Sequence, residues 1–332
     1  MRLLGFLYLF LIALYLGLRL TFGDAPKLMS LANTFAPVYF LPLLVLFPLS
    51  FTKRYRVFLP WSLALLLIAG GWFGPYFLPH VTEAQLEPQL SVLSYNIRGE
   101  YIELVDYLRA EQPDVVFIQE TPKDPWYLQN LLSELGDVYP YVDSQPSYWG
   151  NTILSRYPLY DAETLSDIGA SPPLRVEVEV GAERIALYNV HLTNPLNGSS
   201  RLKLFGFNVR GGYNDGPRQR QIRRLVSQLQ LEPLPFIVAG DFNLSQHAAI
   251  YSLLETVAKD SYREAGSGWG NTWPDATRFD IVPNFLPPLL RLDYVWYGGN
   301  LRAVNAERGP ALGSDHYPLA VSFAFEREMA QR

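Results

Sequence analysis

The chain has 332 residues, an apolar fraction of 49% and a formal net charge of −5. It contains no cysteine, which excludes a disulfide framework, a zinc-thiolate site and a cysteine nucleophile. Residues 81–332 carry 21 of the 27 basic and 31 of the 32 acidic residues, a net charge of −10. This acidic part is a poor electrostatic match for unaided binding to long nucleic acid.

Three apolar runs occupy the N-terminal part, over about residues 3–22, 29–51 and 57–78. As helices, each is long enough to cross the ~30 Å hydrocarbon core of a bilayer. A secretory signal peptide is the alternative for the first run, but no small-x-small cleavage site follows it and two more apolar runs do. The pattern predicts a membrane anchor with three transmembrane helices over residues 1–80.

Basic residues predict how this anchor is oriented. Lys53, Arg54 and Arg56 lie between the second and third runs, and Arg2 precedes the first run. Residues 80–90 contain no Lys or Arg. Because cytoplasmic loops are enriched in basic residues, we expect a cytoplasmic N-terminus and an extracytoplasmic second domain, in a cell or inner membrane.

The second domain is predicted over residues 91–326, after a linker at 81–90 and before a tail at 327–332. Apolar alternation and short apolar runs predict its strands, at 91–97, 114–119, 151–155, 174–180, 184–190, 236–239, 292–297 and 319–325. Helical spacing predicts its helices, at 102–108, 126–135, 217–229 and from Asn243 to about Leu254.

Polar residues stand at the ends of these strands, where sites assemble in layered α/β folds. They are Asn96, Glu120, His191, Asp241 with Asn243, and Asp315 with His316. A histidine can take a proton from water near neutral pH, and a neighbouring carboxylate can bind a hard cation.

Several of these residues also have a purely structural interpretation. Ser314–His316 could be an ordinary polar turn, and Glu120 a solvated carboxylate at a strand end. Asp241 could cap the following helix, and His191 could be a structural histidine.

The chain resembles the endonuclease/exonuclease/phosphatase superfamily, in particular its deoxyribonuclease-like and sphingomyelinase-like members. The resemblance covers about residues 91–326 and rests on six blocks in the family's order, together with a middle strand at 151–156. The blocks are Tyr95-Asn96, Gln119-Glu120-Thr121, Asn189-Val190-His191, Gly240-Asp241-Phe242-Asn243, Arg291-Leu292-Asp293-Tyr294 and Ser314-Asp315-His316. The resemblance implies an α/β four-layer sandwich of two mixed β-sheets flanked by helices.

The same resemblance implies metal-dependent hydrolysis of phosphate esters. His316 would be the general base, and Asp293 would orient its imidazole. Glu120 and Asp315 would bind Mg²⁺, with Mn²⁺ as a substitute.

It also implies a set of residues on the phosphate side. Asn243 would hold a phosphoryl oxygen, and Asp241 would position water or assist the leaving group. His191 would donate a proton to the phosphate or to the leaving oxygen. Asn194 and Asn96 would bind substrate or position ligands as amides.

One position departs from the DNA-repair members, which have an aspartate two residues after the asparagine of the first block. Arg98 stands there in this chain, so one metal ion is expected rather than two. We therefore expect a membrane-anchored phosphodiesterase or phosphomonoesterase that acts close to the lipid bilayer, for example on a lipid headgroup, without assigning an oligomeric state. The alternatives are a surface nuclease and a non-catalytic, membrane-tethered binding domain.

Overall fold

The structure is a computed structural model. It describes residues 2–78, 87–145, 149–166, 168, 172–196, 201–204, 207–210, 212–278 and 283–326. Backbone contacts divide the chain into two units. The first unit is Met1–Pro79 with Ser245–Tyr251, and the second unit is His80–Leu244 with Ser252–Arg332.

The first unit is helical. Its elements are α1 (Arg2–Phe22), α2 (Lys27–Thr34), a 3₁₀ turn (Ala36–Phe40), α3 (Leu43–Leu49) and α4 (Leu59–Phe73), which 3₁₀ turns extend at Arg56–Phe58 and Gly74–Phe77. Among the described residues, two helical segments are long and apolar enough to cross a membrane, Arg2–Phe22 and Arg56–Phe77.

The predicted span over residues 29–51 is not one straight helix. Lys27–Thr34 and Ala36–Leu49 meet at 71°, and the chain bends at Phe35, shortly before Pro37. Proline lacks the amide hydrogen and disfavours the helical conformation in the residue before it. This run is therefore either a broken span or a loop that returns to the same side.

The second unit combines helices with many short strands. The remaining helices are α5 (Ile102–Glu111), α6 (Pro125–Leu135), α7 (Gly216–Leu229), α8 (Tyr251–Leu254) and α9 (Ser261–Ala265), with a 3₁₀ turn at Ala276–Arg278. The strands are β1 (Leu90–Asn96), β2 (Val115–Pro122), β3 (Tyr141–Ser144), β4 (Trp149–Ser155), β5 (Leu159–Thr164), β6 (Leu174–Val180), β7 (Glu183–His191), β8 (Arg201–Leu204), β9 (Phe207–Arg210), β10 (Phe236–Asp241), β11 (Lys259–Asp260), β12 (Asp293–Gly298), β13 (Leu301–Arg308) and β14 (Leu319–Phe325).

Two six-stranded sheets form the second unit, in the orders β13-β14-β1-β2-β4-β3 and β11-β12-β10-β7-β6-β5. Each is mixed, because β1 and β2 run parallel in one sheet and β7 and β10 run parallel in the other. The predicted fold class is confirmed. Strands β3, β5, β11 and β13 of these sheets were not predicted, nor was the separate two-stranded sheet of β8 and β9.

The alternation of apolar residues explains how the layers pack. On β1, Leu90 and Val92 join a core to which both sheets contribute. Leu93 and Tyr95 point the other way and pack with residues of α5 and α6. Successive side chains of a strand point to opposite faces, so one strand serves the core between the sheets and the core under the helices.

Buried amides join the two sheets near the ends of the parallel strands. Asn189 of β7 donates its Nδ2 to the carbonyls of Ile118 and Thr152 at 2.9 and 2.8 Å. Gln119 donates its Nε2 to Asn189 Oδ1 at 2.8 Å. These bonds fix the ends of β2 and β7 with respect to each other.

The predicted helix between Asn243 and Leu254 is mostly absent, since only Tyr251–Leu254 is helical. Within the first unit, the Ile250 N–H donates to Asp24 Oδ2 at 2.9 Å, and the His247 carbonyl accepts from Arg19 Nη1 at 2.7 Å. These backbone groups form hydrogen bonds with distant side chains instead of with backbone groups one helical turn away.

Candidate active site

Strand register brings three of the predicted residues side by side. Asp241, at the end of β10, lies opposite His191 of the parallel strand β7 and opposite Asp293 of the antiparallel strand β12. Residues directly opposite each other on paired strands project to the same face of the sheet. The sheet therefore places two carboxylates and an imidazole next to one another at the ends of three neighbouring strands.

His316 joins this group through Asp293. Its Nδ1 lies 2.9 Å from Asp293 Oδ2, and Thr272 Oγ1 donates to the same oxygen at 2.5 Å. His316 Nε2 faces Asp241, whose Oδ2 is 3.9 Å away. With Nδ1 held by a carboxylate, Nε2 is the nitrogen available to accept a proton.

The electrostatics of the cluster favour positive charge. Burial opposes the protonated form of His316, but the charges of Asp293 and Asp241 and the hydrogen bond with Asp293 outweigh burial and raise its pKa to about 10. Burial raises the pKa of Asp241 to about 6; the charge of His316 opposes this shift, and that of Asp293 adds to it. The raised pKa of His316 thus reflects its carboxylate neighbours, whereas the raised pKa of Asp241 reflects mainly its burial.

Asp241 is the centre of the hydrogen-bond network. Its Oδ2 accepts from Asn96 Nδ2 at 3.1 Å and from Asn243 Nδ2 at 3.0 Å, and its Oδ1 accepts from the Asn243 N–H at 2.7 Å. Asp241 thus closes a local turn and caps no helix, so the capping interpretation is wrong. Gly240 precedes it because a Cβ there would lie 1.9 Å from the Val190 carbonyl oxygen.

Glu120 faces the same cluster from the other sheet. It has a φ of +59° and lies where the pairing of β2 with β4 shifts register, an irregularity that re-aims a side chain. Its Oε1 lies 3.1 Å from Asn96 Nδ2 and 3.5 Å from His191 Nε2. His191 Nε2 is also 3.7 Å from Asp241 Oδ2.

These residues fit a divalent cation. Glu120, His191 and Asp241 offer ligand atoms that all lie within 4.8 Å of one another, and so do Asp241, Asp293 and His316. Carboxylate oxygens predominate, which suits a hard cation such as Mg²⁺ or Mn²⁺. The donor set therefore supports metal binding and leaves the identity of the ion open.

Asp315 has different neighbours. Its Oδ2 lies 3.2 Å from Arg98 Nη1 and 3.3 Å from Trp273 Nε1, and neither group of metal-ligand candidates among the described residues includes it. Its role as a metal ligand stays a prediction. Its contact with Trp273 was not predicted from the sequence.

Other hydrogen bonds fix the segment before His316. Ser314 Oγ donates to the Asn96 carbonyl at 2.7 Å and accepts from the His316 N–H at 3.2 Å. Asn194 is exposed and its Oδ1 accepts from the Leu196 N–H at 2.9 Å. The role of Thr272, which donates to Asp293, was not predicted from the sequence.

Comparison with known proteins identifies the second unit. A family model described as the Endonuclease/Exonuclease/phosphatase family matches residues 93–316. A search of curated proteins finds no match.

Solved structures share this fold at low sequence identity. An endonuclease/exonuclease/phosphatase from Bacteroides vulgatus has a TM-score of 0.55 at 17% identity, over 71% of this chain and 99% of that one. TDP2 from C. elegans has a TM-score of 0.51 at 19% identity, over 71% and 75%. D. rerio TDP2, complexed with a single-strand DNA product, has a TM-score of 0.53 at 18% identity, over 70% and 98%.

Proposed function

The chain belongs to the endonuclease/exonuclease/phosphatase family, and from this we propose that it is a membrane-anchored, metal-dependent hydrolase of phosphate esters. One observation carries the proposal: His316, bonded to Asp293, directs its Nε2 toward Asp241. A base, its orienting carboxylate and a further carboxylate are the groups that activation of a water molecule requires.

His316 would act as the general base at Nε2. Asp293 would hold the imidazole through Nδ1 and stabilise the imidazolium that forms when a water proton is taken up. Thr272 would fix Asp293 through its hydroxyl. Two buried hydrogen bonds, His316–Asp293 and Thr272–Asp293, would therefore fix the position of the imidazole.

A single divalent cation would be held by Glu120 and Asp315, with Asp241 beside Glu120 as a further oxygen donor. When bound, the cation would neutralise charge on the phosphoryl oxygens and offset the carboxylates that raise the pKa of His316. The contact of Arg98 with Asp315 supports one metal ion rather than two, because a guanidinium already supplies positive charge there.

The remaining residues would serve the phosphate group. His191 Nε2, between Glu120 and Asp241, would donate a proton toward the leaving oxygen. Asn96 and Asn243 both donate to Asp241, and we assign both amides to holding this carboxylate. For Asn243 to bind a phosphoryl oxygen, its Nδ2 would have to give up its bond to Asp241 or to the Leu192 carbonyl. Asn194, exposed beside β7, would contact the outer part of the substrate.

The preferred substrate is a phosphate ester at a membrane surface, such as a lipid headgroup. Two apolar helices long enough to span a bilayer and the acidic balance of residues 81–332 support this choice over long nucleic acid. Short single-stranded DNA is the second candidate, because a structure of D. rerio TDP2 contains a single-strand DNA product. A non-catalytic binding domain would not need every predicted catalytic position filled by a competent residue.

A substrate panel on the full chain in detergent or nanodiscs tests the proposal. The panel comprises bis(p-nitrophenyl) phosphate, phospholipid and sphingomyelin vesicles, inositol phosphates and single-stranded DNA, each with Mg²⁺ or Mn²⁺. We expect hydrolysis that a chelator stops and that His316→Ala removes. Turnover of DNA alone would favour the nuclease, and no turnover of any substrate would contradict the proposed activity.

A further inference from the structure

A short segment after the Asp241 turn belongs to the first unit. Ser245–Tyr251 groups by backbone contacts with Met1–Pro79, although both of its flanking segments belong to the second unit. It begins two residues after Asn243, whose backbone N–H and side chain both donate to Asp241. The chain therefore passes between the two units at both ends of this segment as well as at Pro79–His80.

Two charged residues of the first unit bond to the backbone of this segment. Asp24, 8% exposed, accepts from the Ile250 N–H at 2.9 Å through Oδ2 and from Asn33 Nδ2 at 2.7 Å through Oδ1. Arg19 donates from Nη1 to the His247 carbonyl at 2.7 Å. Asp24 is the sole acidic residue of the first eighty in the sequence, and its side chain is committed to these two bonds.

Aromatic residues of the first unit surround the same segment. The His247 ring lies 6.0 Å from the ring of Trp72, 5.5 Å from Phe73 and 6.1 Å from Tyr76. The Arg19 guanidinium lies 4.4 Å from the Trp72 ring centroid. Charged groups in an apolar helical unit are costly unless they are paired, so these contacts make the segment part of the packing of the first unit.

The chain between the segment and Asp241 has little freedom. Asn243 has a φ of +49°, and Leu244 is fully buried with its carbonyl accepting from Tyr294 Oη at 2.8 Å. Holding Ser245 therefore restricts Asn243 through Leu244, and Asn243 in turn holds Asp241.

We propose that Arg19 and Asp24 are positioning residues for the turn that carries Asp241 and Asn243. In this view the first unit does more than tether the enzyme, because the active geometry depends on it. The inference rests on the proposed phosphoesterase function.

Arg19→Leu in the full chain tests the proposal. Loss of this bond should lower kcat by about tenfold to a hundredfold, the effect of displacing a catalytic group by a fraction of an ångström to about 1 Å. KM and the Mg²⁺ concentration for half activation should change much less. Arg19→Lys keeps a donor and should recover part of kcat, and Asp24→Asn should give an intermediate loss.

Arg2→Leu is the matched control, because Arg2 lies on the same helix and donates to the Arg54 carbonyl at 2.8 Å. It should retain wild-type kcat. If Arg19→Leu and Asp24→Asn also retain it, the positioning role is refuted while the phosphoesterase assignment stands. If the wild-type chain hydrolyses no phosphate ester, the proposed function fails and this inference fails with it.

A labelling experiment reports on the segment without using activity. Since the chain has no cysteine, Ala248→Cys introduces one thiol at a position that is 5% exposed. Its reaction with a maleimide should be slow, and faster by about tenfold or more when Arg19→Leu is added, since local opening governs access. If kcat falls while the labelling rate stays the same, Arg19 does not act through the segment Ser245–Tyr251. A parallel thermal unfolding profile identifies variants that fail to fold.

Discussion

His316 Nδ1 lies 2.9 Å from Asp293 Oδ2, and both side chains are buried. Asp293 begins β12, and His316 stands three residues before β14 in the other sheet. The pair therefore joins the two sheets at the edge where Asp241 ends its strand. The orientation of the His316 imidazole therefore depends on the packing of one sheet against the other.

Asp293→Asn should change the pH dependence of the reaction. His316 must be neutral to accept a proton, so activity should rise as pH increases through its pKa. The charge of Asp293 raises that pKa; its removal lowers the pKa, and the acid limb of the kcat–pH profile should move to lower pH. Maximal kcat should fall by about a hundredfold or more, because the imidazole loses its partner. If the acid limb stays at the same pH, the charge of Asp293 does not set the pKa of the group that acts as base.

Glu120→Gln should weaken metal activation. The substitution keeps the shape of the side chain and removes the charge, so half-maximal activity should require at least about tenfold more Mg²⁺. The stabilisation of the folded chain by added Mn²⁺, read as a shift in unfolding temperature, should shrink in parallel.

Glu103→Gln is the matched control for this prediction. Glu103 is an exposed glutamate of α5 that pairs with Arg278 at 3.3 Å, and its substitution should leave the metal dependence unchanged. Equal metal dependence in both variants would exclude Glu120 as a ligand.

Asn189→Leu should destabilise the second unit. It would leave the carbonyls of Ile118 and Thr152 and the Gln119 amide without their buried partner, at a cost of about 2–5 kcal/mol in the free energy of unfolding. Denaturant unfolding followed by tryptophan fluorescence measures this loss. Asn305→Leu, at an exposed position on β13, should change stability by no more than about 0.5 kcal/mol. Comparable losses in the two variants would mean that the bridge between the sheets contributes little.

The sequence predicted the strands that carry the site because buried strands leave a strong local signal. Alternating apolar residues located β1, β6, β7 and β14, and the polar residues at strand ends indicated Asn96 and Asp241. Edge strands such as β3 and β5 escaped prediction because they are short and partly exposed, with little apolar alternation.

Long-range contacts account for what the sequence left out. Thr272 reaches Asp293 across 21 residues, and Trp273 reaches Asp315 across 42; no local pattern encodes such pairs. Ser245–Ile250 was predicted as helix, yet its backbone bonds to Arg19 and Asp24 more than 220 residues away. Tertiary contacts override local propensity at such positions.

In the proposed membrane anchor, the bent pair Lys27–Thr34 and Ala36–Leu49 would decide on which side of the membrane the N-terminus lies. If the pair crosses the bilayer, the chain has three spans and the N-terminus is opposite to the second unit; if the pair returns to the same side, both are on one side. Lys53, Arg54 and Arg56 predict a cytoplasmic loop in either case, and hence an extracytoplasmic second unit.

Single cysteines in this cysteine-free chain distinguish the two arrangements. With a membrane-impermeant maleimide applied from outside the membrane, Asp106→Cys, at an exposed position of the second unit, should be labelled. Thr52→Cys, which keeps the basic residues of the loop, should be protected until the membrane is opened. A cysteine added before Met1 should also be protected if there are three spans, and its labelling from outside would identify the bent pair as a re-entrant loop. Labelling of Thr52→Cys with protection of Asp106→Cys would reverse the orientation, because the basic loop would then lie outside.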